Sequence, residues 1–319
     1  MIPPALLTRL REHDVDAMLE ITSLGSRRGV KSDKTLRLYR NAFAKFLTFL
    51  TQRQVGVLDV TAYEAALYRD WLVQGHVNQK KTRKGGASRN GTPRQRGQME
   101  LSSVATYLAP VRGLYVALVA FEVMDRNPWL TVHFDQPKNA PPPPYTDAEV
   151  EAMLRSLSHS MPYEQVLVLL GAHAGLRVEE AVTLRWGNVD FSAGTLRFTG
   201  KGRKEREVPM SGSLSGALAL LRDRQQLDAN AAGVKFDRDG SVLNLDNEDA
   251  ARYALEKITT RAKVPWRGYH SLRRNAGSWL LRETGSIQAV QQHLGHADIS
   301  TSARYTHYVR DHEETVRKR

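Results

Sequence analysis

Four consecutive prolines, in the stretch NAPPPP from Asn139 to Pro144, constrain this 319-residue chain more than any other feature. Proline lacks an amide hydrogen and fixes its own φ, so the run favours an extended, semi-rigid segment that neither helix nor sheet ladder can use. It predicts a linker over 139–144, with one domain at 1–138 and a second at 145–319. Length agrees, because a chain this long exceeds what a single core usually serves.

The first half reads as helical. Between Ser32 and Arg53, Leu36, Tyr39, Phe43, Phe46, Leu47 and Leu50 recur at steps of three and four. That spacing makes one apolar stripe on a helix, with Ser32 as its N-cap. Similar periodicity marks Thr61–Gln74 and Leu101–Val123, a weaker helix precedes Glu20, and Asn127-Pro128 closes the set. Four helices without a convincing strand predict a small bundle.

One segment breaks the pattern. Asn78–Gln98 holds seven Lys and Arg residues, no Asp or Glu, and four glycines. It has nothing large and apolar to bury, so it predicts a mobile loop whose cations suit phosphate contact; the plainer reading is a solvated loop. The whole chain carries +12, a balance that favours polyanions such as nucleic acid. No apolar run approaches a membrane span in length, and the N-terminus lacks the layout of a signal peptide. There is no cysteine, which excludes disulfide and thiolate chemistry. The expectation is an unexported protein of the cytoplasm or nucleoid.

The second half mixes element types. Tyr145–Leu157 opens on Thr146 with Glu149 three residues on, the signature of a capping box. Tyr163–His173 reads as a buried helix broken at Gly175, and Thr195–Met210 as a hairpin around a Gly/Lys/Arg turn. Helices follow at Ser213–Leu227, Asp246–Lys263, His270–Glu283 and Ile287–Leu294, with a last short one near Thr301–Tyr308. The fold class is therefore mainly α with a small antiparallel β-sheet.

Four motifs carry chemistry, and each alone has an ordinary structural reading. In AGLRVEEAVTLRW, Arg177 opens a helix, where its planar fork can grip phosphate and Glu180 can hold it; the plain alternative is a surface ion pair. In GKGRKER, Lys201 lies between two glycines, which also suits a charged turn. In HSLRRNAGSWLL, His270 and Arg273 share a helix face, while Trp279, Leu280 and Leu281 serve packing. In HLGHADISTSARYTHY, His293, His296 and His307 raise the question of a metal, but Gly295 interrupts the pair and Asp298 is the single carboxylate near them, so no metal or other cofactor is expected. Tyr305 and Tyr308 could equally anchor a terminal helix.

Together, two arginines, a lysine, two histidines and a tyrosine suit attack on a phosphodiester. A phenol is a weak nucleophile while protonated. Arginines offset charge growing on the phosphoryl oxygens, and lysine and histidine move protons.

The C-terminal half resembles the tyrosine recombinases, or phage integrase family, most closely in its Xer-like and phage integrase branches. AGLRVEEAVTLRW looks like that family's first box, with Arg177 its first arginine and Glu180 the usual acidic neighbour. GKGRKER is similar to the hairpin motif, with Lys201 at the usual Xer-like distance from Arg177. HSLRR matches the HxxR box through His270 and Arg273, with Arg274 where a second histidine is common. LGHADISTSARYTH matches the closing box, with His296 at the third basic position and Tyr305 as nucleophile. SDKTLRLYRNAFAKFLTFL and the VRGLYVAL and NPW stretches resemble the family's N-terminal core-binding domain.

The resemblance implies a helical, SAM-like core-binding domain and a mixed α/β catalytic domain that clamp double-stranded DNA. It implies strand cleavage and rejoining at specific sites through a 3′-phosphotyrosyl intermediate and a Holliday junction, in a tetramer on DNA. In those roles Arg177, Arg273 and His296 bind the scissile phosphate, Lys201 is the general acid, and His270 is a proton acceptor or phosphate ligand. A tail beyond Tyr305 would serve subunit contacts, and a second recombinase or accessory protein is an admissible partner. Two rival readings use the same residues: a DNA-binding protein of this fold without chemistry, and a type IB-like topoisomerase without site specificity.

Overall fold

A computed structural model of the chain describes residues 2–25, 32–74, 99, 101–134, 142–158, 160–199 and 205–295. The chain divides into two units, Met1–Asn139 and Ala140–Arg319. The Asn78–Gln98 segment, the Lys201 turn, and the stretch holding His296, Tyr305 and the last expected helix lie outside the described residues.

The N-terminal unit comprises α1 (Pro4–Arg11), α2 (Val15–Leu24), α3 (Asp33–Arg53), α4 (Ala62–Gln74) and α5 (Leu101–Ala120), with a 3-10 turn at Val57–Asp59. The one helix expected before Glu20 is two. His13 takes a left-handed φ of 63°, and the Asp14 carboxylate accepts from the amides of Asp16 and Ala17, which ends one helix and caps the next. Ser32 caps α3 as its position predicts, its Oγ accepting from the Thr35 amide at 3.3 Å.

The stripe of α3 then fills the core. Phe46 is fully buried and meets Tyr68, Tyr115 and Trp129 with ring centroids 4.8, 6.1 and 6.4 Å away. Burying each such ring stabilises the unit by about 1.5–3 kcal/mol. Tyr115 keeps its polar end satisfied by donating to the Val57 carbonyl at 2.7 Å. Helix α5 corrects the expectation about apolar runs: its length and mean hydropathy of 1.4 would suffice to cross a bilayer. Here its Val104, Leu108, Val111, Leu114 and Leu118 are buried, packed with the rest of the bundle core.

The C-terminal unit is built around one apolar helix. It contains α6 (Asp147–Arg155), α7 (Pro162–Ala172) and α8 (Val178–Val182), then β1 (Val189–Asp190), β2 (Thr195–Thr199) and β3 (Glu205–Pro209). It continues with α9 (Gly212–Ala231), α10 (Glu248–Arg261), α11 (His270–Thr284) and α12 (Ile287–Leu294). The capping box forms as predicted: Thr146 Oγ1 accepts from the Glu149 amide, and Glu149 Oε2 accepts from the Thr146 amide. Helix α7 is buried continuously from Val166 to Ala172, and α6, α8, α9, α10 and α11 pack on it. A helix apolar on all sides belongs at the centre of a unit.

The sheet is antiparallel in the order β1-β2-β3. Leu196 pairs with Val208 and Phe198 with Arg206. Strand β1 adds a third member to the expected hairpin; at two residues it is too short to show an alternation in sequence. Late in α11, Leu281 is buried and Leu280 packs with Val290, Leu294 and Ile287 of α12, as expected of them. Trp279 does not follow: it is 48% exposed. The α11–α12 contact is made by its two neighbours, and an apolar identity alone does not bury a side chain.

Candidate active site

Four local structures bring cationic side chains to one carboxylate and one helix end. The chain leaves α7 through Gly175, whose φ of +63° is left-handed. A Cβ there would lie 2.5 Å from Leu294 Cδ2 and 3.4 Å from Ala276 Cβ, so glycine lets α12 and α11 approach this turn closely. Arg177 follows in extended conformation and caps α8; its amide donates to Glu180 Oε2 at 2.8 Å and its Nη1 to Glu180 Oε1 at 2.8 Å. Arg177 Nη2 reaches the Gly295 carbonyl at 3.4 Å.

From the first turn of α11, Arg273 is fully buried. Its guanidinium donates to the carbonyls of Gly175 and Leu294, and Nη1 stands 3.8 Å from Glu180 Oε2. The two arginines singled out in sequence therefore lie at opposite oxygens of the same carboxylate. Arg206, on β3, adds a third guanidinium, donating to Glu180 Oε2 and to the Leu294 carbonyl, each at 2.9 Å. Sequence reasoning took only Lys201 from GKGRKER. The available signal was strand alternation, which puts Arg206 on the face of the buried Val208.

Charge organises this cluster. Burial works to raise the Glu180 carboxyl, but the Arg177 amide and the charges of Arg206 and Arg177 outweigh it and hold its pKa below the usual value. Among the described residues, three guanidinium groups stand against this one carboxylate, a positive balance suited to an anion. His270 is the first residue of α11. Partial desolvation, then the charges of Arg274, Arg273 and Arg177, push its pKa down to about 4, so its ring is neutral near pH 7. His293 interacts with the His173 backbone, and burial lowers its pKa.

Of the six residues expected to act together, Arg177, His270 and Arg273 are among those described: the two arginines meet on Glu180, and His270 opens the helix that carries Arg273. Lys201, His296 and Tyr305 lie outside the described residues. In sequence, Lys201 falls between paired strands β2 and β3, and His296 directly follows Gly295, the C-cap of α12.

The profile of the phage integrase family matches residues 145–312, more than half of the chain. The chain belongs to the phage integrase family. Among relatives of this family member, the tyrosine recombinase XerC of Anoxybacillus flavithermus is 25% identical over 292 residues, covering 88% of this chain and 89% of the relative. The tyrosine recombinase XerD of Halalkalibacterium halodurans is 32% identical over 231 residues, covering 67% of this chain and 73% of the relative. The fold resembles that of the XerH site-specific recombinase, solved on its difH substrate after cleavage, with a TM-score of 0.63 at 17% identity, covering 98% of this chain and 86% of that one. This phage integrase family protein is a site-specific tyrosine recombinase.

Proposed function

We propose that this recombinase cuts DNA by attack of the Tyr305 oxygen on a phosphodiester. The new bond is a 3′-phosphotyrosyl link and the leaving group a 5′-hydroxyl. Attack by another strand's 5′-hydroxyl reverses the linkage, so phosphodiester energy is conserved without ATP, and two such exchanges pass through a Holliday junction.

In this reading Arg177 and Arg273 hold the non-bridging oxygens with His296, and each such donor lowers the barrier by about 3 kcal/mol. Lys201 protonates the leaving oxygen, and neutral His270 accepts a proton or a phosphate contact. The observation that carries the reading is the meeting of Arg177 and Arg273 on Glu180 beside His270. Glu180 keeps the two forks charged and oriented; Arg273, bonded to two carbonyls in the free chain, exchanges one of them for phosphate when DNA is bound.

The N-terminal unit serves as the core-binding domain and the C-terminal unit as the catalytic one, joined at 139–144. Assembly is a tetramer on double-stranded target sites, in the cytoplasm at the nucleoid, with room for a second recombinase or accessory protein.

The test is covalent capture. Fragmented host DNA is incubated with the protein, denatured, and the fragments that remain attached are sequenced; the recovered site is then rebuilt with a nick that makes cleavage irreversible. The expected result is a protein–DNA adduct at the 3′ phosphate that Tyr305→Phe abolishes while DNA binding persists. Binding without an adduct would leave a non-catalytic DNA-binding protein. Relaxation of plasmids lacking the recovered site would instead mark a topoisomerase.

A further inference from the structure

Arg206 stands apart from the residues already assigned, yet like Arg273 it touches both Glu180 and the Leu294 carbonyl. Register places it: it is the cross-strand partner of Phe198, and its guanidinium lies over the Phe198 ring, 5.5 Å from the centroid. From there Nη2 donates to Glu180 Oε2 at 2.9 Å and Nη1 to the Leu294 carbonyl at 2.9 Å. The side chain is only 17% exposed, and burial pulls its pKa below the ordinary arginine value. A cation kept there against that cost holds specific partners.

An independent feature agrees. Gly295 has a φ of +62°, and a Cβ on it would come within 2.2 Å of Arg206 Nη1. The missing side chain is thus the room that the guanidinium occupies. On one side of Arg206 is the strand whose pairing with β2 brackets the segment bearing Lys201. On the other is the last carbonyl of α12, which leads through Gly295 to His296. Glu180, its third contact, is the carboxylate that orients Arg177.

We propose that Arg206 is a positioning residue for the cleavage step: one guanidinium fixes the β2–β3 hairpin, the α12 terminus and the Arg177–Glu180 pair relative to one another. It acts through Lys201, His296 and Arg177 rather than on DNA. Two donors on separate nitrogens are needed, which arginine supplies and lysine, a single ammonium, does not. The inference rests on the recombinase reading above.

The experiment uses the full chain and the nicked duplex recovered by covalent capture. Parent, Arg206→Lys and Arg206→Met are compared for melting temperature, duplex affinity and rate of adduct formation. Both variants should bind within about twofold of the parent yet form adduct at least about tenfold more slowly, the loss typical of misplaced catalytic groups. Guanidinium ion, added below denaturing concentration, should speed Arg206→Ala and not the parent. Adduct formation at the parental rate by either folded variant overturns the proposal. So does a slowing fully matched by weaker binding, and if Arg206→Met does not fold, Arg206→Lys decides. A parent that forms no adduct sinks the recombinase reading itself, an outcome distinct from variants that cleave normally.

Discussion

Arg206 and Arg273 donate to the same acceptor, the carbonyl oxygen of Leu294. Leu294 closes α12, and the end of a helix presents unsatisfied carbonyls carrying about half a negative charge. Two guanidinium groups arriving from different elements, β3 and α11, neutralise it. The end of α12 becomes a fixed point in the C-terminal unit, and the turn at Gly175 is fixed with it, because Arg273 also donates to the Gly175 carbonyl.

Glu180 is the counter-charge of this arrangement. Glu180→Ala should destabilise the C-terminal unit by about 2–4 kcal/mol, because guanidinium groups remain crowded without their partner. Urea unfolding measures it. The folded-state pKa of the carboxyl lies below its usual 4.5, so its ionic contribution is complete above that pH and is lost as pH falls through the lower, folded value. The stability gap between parent and Glu180→Gln should therefore close on acidification below about 4.5. A gap independent of pH would contradict the charge role.

His270 should stay neutral well below the usual histidine range. Its pKa is pushed from 6.5 down to about 4, so the unfolded chain binds more protons between those values. The contribution of this group to stability is accordingly full above 6.5 and declines as pH falls toward 4. Heteronuclear NMR of the imidazole gives the titration directly. Arg274→Ala should move the midpoint upward by removing a cation, and bound duplex should move it the same way by adding phosphate. A midpoint near 6.5 in the free protein would refute the environment described.

Gly175→Ala should cost about 2–4 kcal/mol: roughly 1 for the left-handed backbone and the remainder for overpacking. Leu294 Cδ2 lies 2.5 Å from where the new methyl would sit. Gly194→Ala is the control, since its φ is +66° but nothing lies within 4 Å of the added Cβ. Its loss should be about 1 kcal/mol. Equal losses at the two positions in urea titrations would mean that the approach of α12 to this turn contributes nothing.

Much of the local structure was legible in the chain itself. Ser32 and Thr146 cap the helices that follow them, and the three-and-four spacing around Phe46 became the buried face of α3. The pairing of Arg177 with Glu180 was readable too, since residues three apart at a helix start lie side by side. Each rests on interactions completed within a few residues. The split of the first helix was less visible, because it depends on a left-handed His13 and a cap at Asp14 rather than on periodicity.

The sequence alone thus determined where helices begin, which faces are apolar, and which residue types suit phosphodiester chemistry. Tertiary structure decided which of them meet. Arg206 was visible only as one more charge near a turn, and Trp279 looked like a packing residue. The register of β3 carried the first to Glu180 and Leu294, and the contact of α11 with α12 through Leu280 and Leu281 left the second half exposed. The physical reason is range: caps and periodicity act between neighbours along the chain, whereas a shared acceptor for Arg206 and Arg273 exists only once a strand and two helices have packed together.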